Sequence, residues 1–306
     1  MTRFSLLLVL VSHVWVADPP GDVLLGRGWA HVSLPLFHHG YLTFIVNTRS
    51  FEVWGPDGRL RCFVAMERPE DLSIMGVAVD SGGSIAASYA SRTASGIEAG
   101  IAYFDSNGTR TRTVETGKYM PAHLAFDGNQ NLWAFGWQRD SSGEYEERRD
   151  YMMLRKYSPA GHEKGRFGRR ALLPRGGLTP GGPSRGLARL HVAKDRIGAI
   201  AFYGDTSEIT AWIELGLDGH VISQWRLGDS NGGLAFAQDA RLFRVVVERT
   251  TRLEVFDRAS AEWRNAGGMT PQGFLLGVQN GQLVFGRDDG VVRITSADVP
   301  KLQKHR

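Results

Sequence analysis

Short apolar runs, each ended by a polar turn, recur along this chain, and no stretch carries the spacing of an amphipathic helix. The clearest copy starts with Gly76-Val77-Ala78-Val79-Asp80, turns at Ser81-Gly82-Gly83 and resumes from Ser84 to Tyr89. A third run, Gly100 to Asp105, leads into Ser106-Asn107-Gly108, and Thr109 to Glu115 then alternates as a fourth. Asn107-Gly108 reads as a two-residue hairpin loop, in which both residues take positive φ. The next copy has His123 to Asp127, the turn Gly128-Asn129-Gln130-Asn131, Leu132 to Gln138, and Tyr151 to Ser158 before Pro159-Ala160-Gly161. A further copy runs from Leu190 to Asp195, Arg196 to Tyr203, Glu208 to Leu215 and Val221 to Leu227, with Asp218-Gly219 as its last turn.

The spacing of these copies sets the architecture. Asp80 and Asp127 stand 47 positions apart, and Asp195 and Asp239 stand 44 apart, the length of one four-stranded propeller blade. A later unit comprises Leu234 to Asp239, Leu242 to Glu248, Arg252 to Asp257 and a strand around Trp263. The last is shorter, with Phe274 to Val278, Gln282 to Gly286 and Val291 to Thr295. The first has Tyr41 to Val46, Phe51 to Trp54 and Arg59 to Val64, and its fourth strand is expected from Val23 to Leu25 or from the chain's end. The pattern predicts an all-β fold, a six-bladed β-propeller of four-stranded antiparallel blades spanning residues 18–306 as a single domain. A pair of β-sandwiches explains the strands but not their spacing.

Composition agrees. With 42% hydrophobic and 22% charged residues the chain can bury a core, and 38 glycines without a Gly-x-y period imply many tight turns. The net charge of +4 is small and interspersed, which argues against a nucleic-acid partner; the basic excess from Arg148 to Arg189 reads as a solvated face. Cys62 stands alone, so an intrachain disulfide and a cysteine-built metal site are both excluded. At the start, Arg3 and the apolar run from Phe4 to Ala17 precede Asp18-Pro19-Pro20. That run suits a leader over residues 1–17 better than a membrane span, so export to the periplasm or medium is expected, with a cytoplasmic location as the alternative.

Three strings carry a resemblance. Gly76 to Asp80, Leu124 to Trp133, and Leu154-Arg155-Lys156-Tyr157-Ser158-Pro159-Ala160-Gly161 resemble the repeat of NHL-type six-bladed propellers, and the likeness extends from about Tyr41 onward. The same superfamily includes gluconolactonase-like and streptogramin-lyase-like enzymes. It implies a site where loops gather around the central channel: Glu67 to Met75, Lys118 to His123, Arg139 to Asp150 and Pro174 to Arg189. The ligand-facing candidates are Glu67, Asp71, Lys118, Tyr119, His123, Arg139 and Arg185. A gluconolactonase-like activity would bring a divalent cation held by Glu, Asn and Asp, but those ligands find no residue-by-residue match, nor does the lyase's histidine site. No cofactor is otherwise identified.

Other constellations have plain explanations. Asp127 to Asn131 alternates oxygen-bearing side chains as a calcium loop does, yet Leu132 replaces the required Gly and Gln138 the bidentate Glu, so a turn is expected. Gly182-Pro183-Ser184-Arg185-Gly186 matches a nucleophile elbow by letter but lies in a Gly/Pro-rich loop. His31, His38 and His39 form the one histidine cluster, and neighbours on a strand face opposite ways, which disfavours a shared metal. Asn107-Gly108-Thr109 is a glycosylation sequon that its turn role already explains. Trp133, Phe135 and Trp137 share one strand face, as packing between blades requires, and the polar insert Arg139 to Asp150 is expected to be an exposed loop. The expectation is a monomeric, non-catalytic propeller that binds an unknown protein or small molecule; the alternative is a metal-dependent lactonase-like hydrolase or a lyase.

Overall fold

The computed structural model describes residues 23–25, 36–67, 72–94, 96–138, 151–170, 190–203, 209–227, 233–266, 273–279, 281–288 and 292–298. The leader over 1–17, His31, the insert Arg139 to Asp150 and the loop Pro174 to Arg189, including Gly182 to Gly186, lie outside the described residues. Strand β1 is Val23–Leu25. One sheet holds β2 (Leu36–His38), β3 (Tyr41–Asn47), β4 (Ser50–Trp54) and β5 (Leu60–Ala65) in that order. The next holds β6 (Leu72–Val79), β7 (Ile85–Thr93), β8 (Gly96–Phe104) and β9 (Arg110–Glu115). It is followed by β10 (Tyr119–Phe126), β11 (Leu132–Gln138), β12 (Met152–Tyr157) and β13 (Glu163–Arg169). Then come β14 (Leu190–Val192), β15 (Arg196–Tyr203), β16 (Ile209–Gly216) and β17 (Val221–Arg226). Another sheet has β18 (Leu234–Phe236), β19 (Leu242–Val247), β20 (Thr251–Asp257) and β21 (Glu262–Asn265). The last joins the two ends of the chain: β22 (Phe274–Gln279), β23 (Gln282–Asp288) and β24 (Val292–Asp298) receive β1 as their outer strand.

The core lies between these sheets rather than at a common centre. Phe51, Val53 and Val64 meet Ile74, Val77 and Phe104 from the following sheet, and Tyr103 and Ile101 meet Leu124 and Leu132 in the same way. Trp133 and Phe135 pack on Leu190 and Ile213, Trp212 on Phe236 and Leu242, Phe243 and Val255 on Leu283 and Phe285. Leu276 and Val284 then return to Leu42 and Phe44, so the stacking closes on itself. The chain is an all-β propeller of four-stranded antiparallel blades.

The expected source of the first unit's fourth strand is corrected. That unit is complete, because its innermost strand is β2, immediately before Tyr41; Val23–Leu25 instead completes the last sheet by pairing Leu24 with Arg293. Pairing there covers the edge of β24 from Val292 to Ile294. Strands β7 and β8 also extend beyond the expected limits to the pair Thr93 and Gly96, carried by buried Ser91 and Ala99 on facing strands. Of the three aromatics on β11, Trp133 and Phe135 share the core with the following sheet, while Trp137 joins Ala99, Met120 and Ala122.

One turn recurs within the blades. At Gly55, Asp80, Asp105, Asp127, Ser158, Gly216 and Ala237 the residue's N–H donates to the carbonyl four residues on, and its own carbonyl accepts from the residue three on, at 2.8–3.1 Å. That third residue is Gly58, Gly83, Gly108, Gln130, Gly161, Gly219 or Ala240, with φ between 61° and 88°. The two-residue loop expected at Asn107-Gly108 is therefore corrected: Gly108 takes positive φ and Asn107 does not, and the ladder beside it slips between Tyr103 and Phe104 as the bulge of a longer loop requires. Where the first position is Asp, its carboxylate also accepts N–H groups two and four residues on, as Asp127 Oδ1 does from Asn129 and Asn131 at 2.9 Å.

One buried charge ties two blades together. Glu214, inaccessible to solvent, accepts from Trp212 Nε1 at 3.0 Å and from Arg196 at 3.4 Å, and pairs with Arg258 of the next blade. Glu214→Ala would leave Trp212 Nε1 buried without its acceptor and Arg258 without its carboxylate, while Arg196 keeps Asp195 at 3.0 Å, and is expected to lower unfolding stability by about 3 kcal/mol in urea titrations. The shared turn predicts opposite signs at equivalent positions. Gly108→Ala, at φ +82 with Cys62 and Val64 only 3.0 Å from the new Cβ, should destabilise by about 1–2 kcal/mol. Gln130→Gly, at φ 61, should stabilise by up to about 1 kcal/mol in the same measurement.

Candidate functional site

The innermost strands β2, β6, β10, β14, β18 and β22 contact one another in cyclic order around an axis. Each runs into a turn at the same end, so whatever those turns carry converges there. At β2 the turn is His39-Gly40, and here both residues do take positive φ, 50° and 89°, the signature of a two-residue loop. Histidine adopts this left-handed region at a cost that glycine avoids. The exposed His39 ring reaches inward, with Nε2 3.4 Å from the carbonyl oxygen of Phe126 at the end of β10.

His38, the last residue of β2, is half-buried, but its Nε2 is sealed from solvent and has no hydrogen-bond partner. Burial lowers its pKa from 6.5 to about 3, helped by the charges of His39 and His191 and opposed by a hydrogen bond to the Val77 backbone. In the neutral ring one nitrogen is a donor and the other an acceptor. Other sealed polar atoms without partners, among them Tyr103 Oη, Tyr157 Oη and Ser50 Oγ, lie outside the inner strands; among the described residues His38 Nε2 is the one on an inner strand. His191 sits on β14, opposite β2 in the cyclic order, so its influence on His38 crosses the axis. Its ring lies 5.7 Å from that of Trp212. An uncharged imidazole held this way accepts a hydrogen bond from an O–H or N–H donor.

Those residues singled out from the sequence that the structure describes lie toward the other end, where the chain enters the inner strands. Glu67 and Lys118 are exposed, just before β6 and β10. His123 is half-buried on β10, its ring stacked on Phe135 at 6.4 Å. Tyr119 is fully buried, its hydroxyl lies 2.8 Å from the carbonyls of both Ala134 and Met153, and the Arg155 guanidinium covers its ring at 4.0 Å. It packs β10 against the strands beside it and presents nothing to a ligand. Asp71, Arg139 and Arg185 lie outside the described residues. The histidine pair His38-His39 was visible in the sequence, but β2 was not. The signal available was His39-Gly40 itself, an X-Gly pair between the apolar Leu36-Phe37 and Leu42.

Among the described residues no group of three or more His, Cys, Asp or Glu is placed to hold a metal ion. The calcium-like alternation at Asp127 is occupied by its own turn, with Asn131 Nδ2 at 3.0 Å, Trp133 Nε1 at 3.1 Å and Lys156 Nζ at 3.7 Å from one carboxylate oxygen. No helix among these residues is long and apolar enough to cross a membrane.

No family model matches the chain, and no curated protein sequence matches it either. Solved structures do. A Bacteroides caccae protein of unknown function is 12% identical with a TM-score of 0.51, covering 93% of this chain and 96% of its own. XC5397, a gluconolactonase from Xanthomonas campestris, is 14% identical with a TM-score of 0.52, covering 90% of this chain and 89% of its own. At such identity the likeness is one of fold.

The His38 environment predicts a pH dependence. Its folded pKa lies below 6.5, so protons bind the unfolded chain more readily; the neutral ring's contribution is complete above 6.5 and is lost as pH falls toward 3. Between about pH 7 and about pH 4, urea midpoints of the wild type should therefore fall further than those of His38→Gln.

Proposed function

We propose that this chain is a non-catalytic binding propeller, a ring of six blades of the NHL type, which receives a neutral polar ligand group at the axis beside His38. One observation carries the reading: an uncharged imidazole on an inner strand whose Nε2 has no hydrogen-bond partner. A buried polar atom of this kind lacks a hydrogen bond that a ligand's hydroxyl or amide N–H supplies. Hydroxyl and amide groups carry both a donor and an acceptor and so pair with either form of that nitrogen. The ligand class is therefore a neutral molecule or side chain bearing hydroxyl or amide donors. The blade-length spacing of the turns supports the ring of six. The gluconolactonase that shares the fold keeps a metal-dependent lactonase as the second reading.

Calorimetric titration with a panel of neutral monosaccharides, polyols and primary amides separates the readings. Saturable binding that weakens at least about tenfold in His38→Phe, a variant without the lone pair, is the expected result. The absence of binding by every donor-bearing probe overturns it. Hydrolysis of glucono-1,5-lactone by protein carrying one divalent ion per chain, measured by elemental analysis, decides for the lactonase.

A further inference from the structure

We infer that the seam between the second and third sheets holds a small monovalent anion of the halide class, between Tyr103 and Arg112 on one side and Tyr157 and Arg155 on the other. Tyr103 on β8 and Tyr157 on β12 belong to the one core that these two sheets share, and they are exposed by only 4% and 2%. Neither hydroxyl has a hydrogen-bond partner, and neither do the sealed Nε atoms of Arg112 and Arg155. All four are donors. An arginine nitrogen offers no lone pair, and burial raises both phenol pKa values, so both hydroxyls keep their protons. The Arg155 guanidinium beside Tyr157 is itself a donor and cannot serve that O–H. Buried donors gathered in this way lack an acceptor.

The strands bring these groups together. Tyr103 and Arg112 are direct cross-strand partners on β8 and β9, with the guanidinium 4.2 Å over the ring. Arg155 and Tyr157 stand two apart on β12 and share one face, where Arg155 also stacks on Tyr119 of the same core. Arg112 spans the seam: its Nη2 donates to the carbonyl of Pro159, two residues after Tyr157, and its Nε is 3.2 Å from where a Cβ on Gly161 would lie. Charge selects the occupant. Arg112 has no carboxylate partner among the described residues, and Glu163 is shared between Arg155 at 3.2 Å and the exposed Arg166 at 2.5 Å. With Arg166 left to solvent, two guanidiniums face one carboxylate, an excess of one positive charge. Water would accept from these donors but leave that charge uncompensated, whereas a monovalent anion does both. A halide takes donors from any direction, while a tetrahedral oxyanion carries more lone pairs than four donors fill.

Broadening of the chloride NMR signal by the full chain, at an ionic strength held constant with sodium methanesulfonate, tests this. The expected result is excess broadening that bromide competes away. Its dissociation constant should rise at least about tenfold when Tyr103→Phe is combined with Tyr157→Phe, two changes that each remove one oxygen and keep the ring. Chloride should also raise the urea midpoint of the wild type saturably, and that of the double variant less, because an anion held only by the folded seam stabilises it. Where the near-ultraviolet circular dichroism of the double variant departs from wild type, Tyr103→Phe alone carries the same comparison. A wild type without excess broadening overturns the inference and leaves ordered water as the acceptor. Broadening that removal of the hydroxyls leaves unchanged also overturns it, since the chloride then lies elsewhere on the protein. So does displacement by inorganic phosphate at a lower concentration than by bromide.

Discussion

Each of these sheets is apolar on both faces, and that constraint decides the rest of the molecule. Strand β11 is buried along almost its whole length, and β7 shows the same pattern from Ile85 to Tyr89. A sheet of this kind cannot turn one face to water as ordinary antiparallel sheets do; it must lie between two others. A row of such sheets leaves an apolar face at each end, whereas a ring leaves none. Closure follows when Leu276 and Val284 meet Leu42 and Phe44. The same closure brings the inner strands together around one axis, and so determines where side chains from distant segments can meet.

What was legible in the sequence follows from how strongly each local conformation restricts the residue. A loop whose last residue needs positive φ excludes most side chains, so Gly83, Gly108 and Gly161 announced their turns. Where another residue tolerates that conformation, the signal shifts. The spacing of 44 was read between Asp195 and Asp239, yet Asp80 corresponds to Ala237, two residues before Asp239. The period survived because the backbone repeats, although the side chain marking it does not. Strands β2, β14 and β18 have three residues each, too few for alternation to register, and two of them carry His38 and His191. The candidate site was therefore hidden where the fold itself was least visible.

The electrostatics of the two kinds of buried polar group differ. Asp127 and Glu214 are buried ions, and each is surrounded by donors from its own strand or turn and from its neighbours. Such groups would be prohibitive to bury otherwise, and their partners hold turns and blades in register. His38 solves burial the other way, by remaining neutral, and its Nε2 has no hydrogen-bond partner. Next to it, His39 holds a backbone conformation that Gly or Asn would adopt more readily. Two adjacent departures from local preference at one end of the axis are the pattern expected where residues are retained for recognition rather than for folding.

Ring closure removes faces but leaves edges, because every blade still ends in an outer strand. On β9 and β13 the problem is met with charge, and at β24 with the pairing of β1, which binds the two chain ends into one sheet. Strand β5 carries a single charge, Arg61, among apolar residues. Its buried face is fully engaged, with Cys62 and Val64 lying under Gly108 of the next blade, so the exposed Phe63 is no consequence of poor packing beneath it.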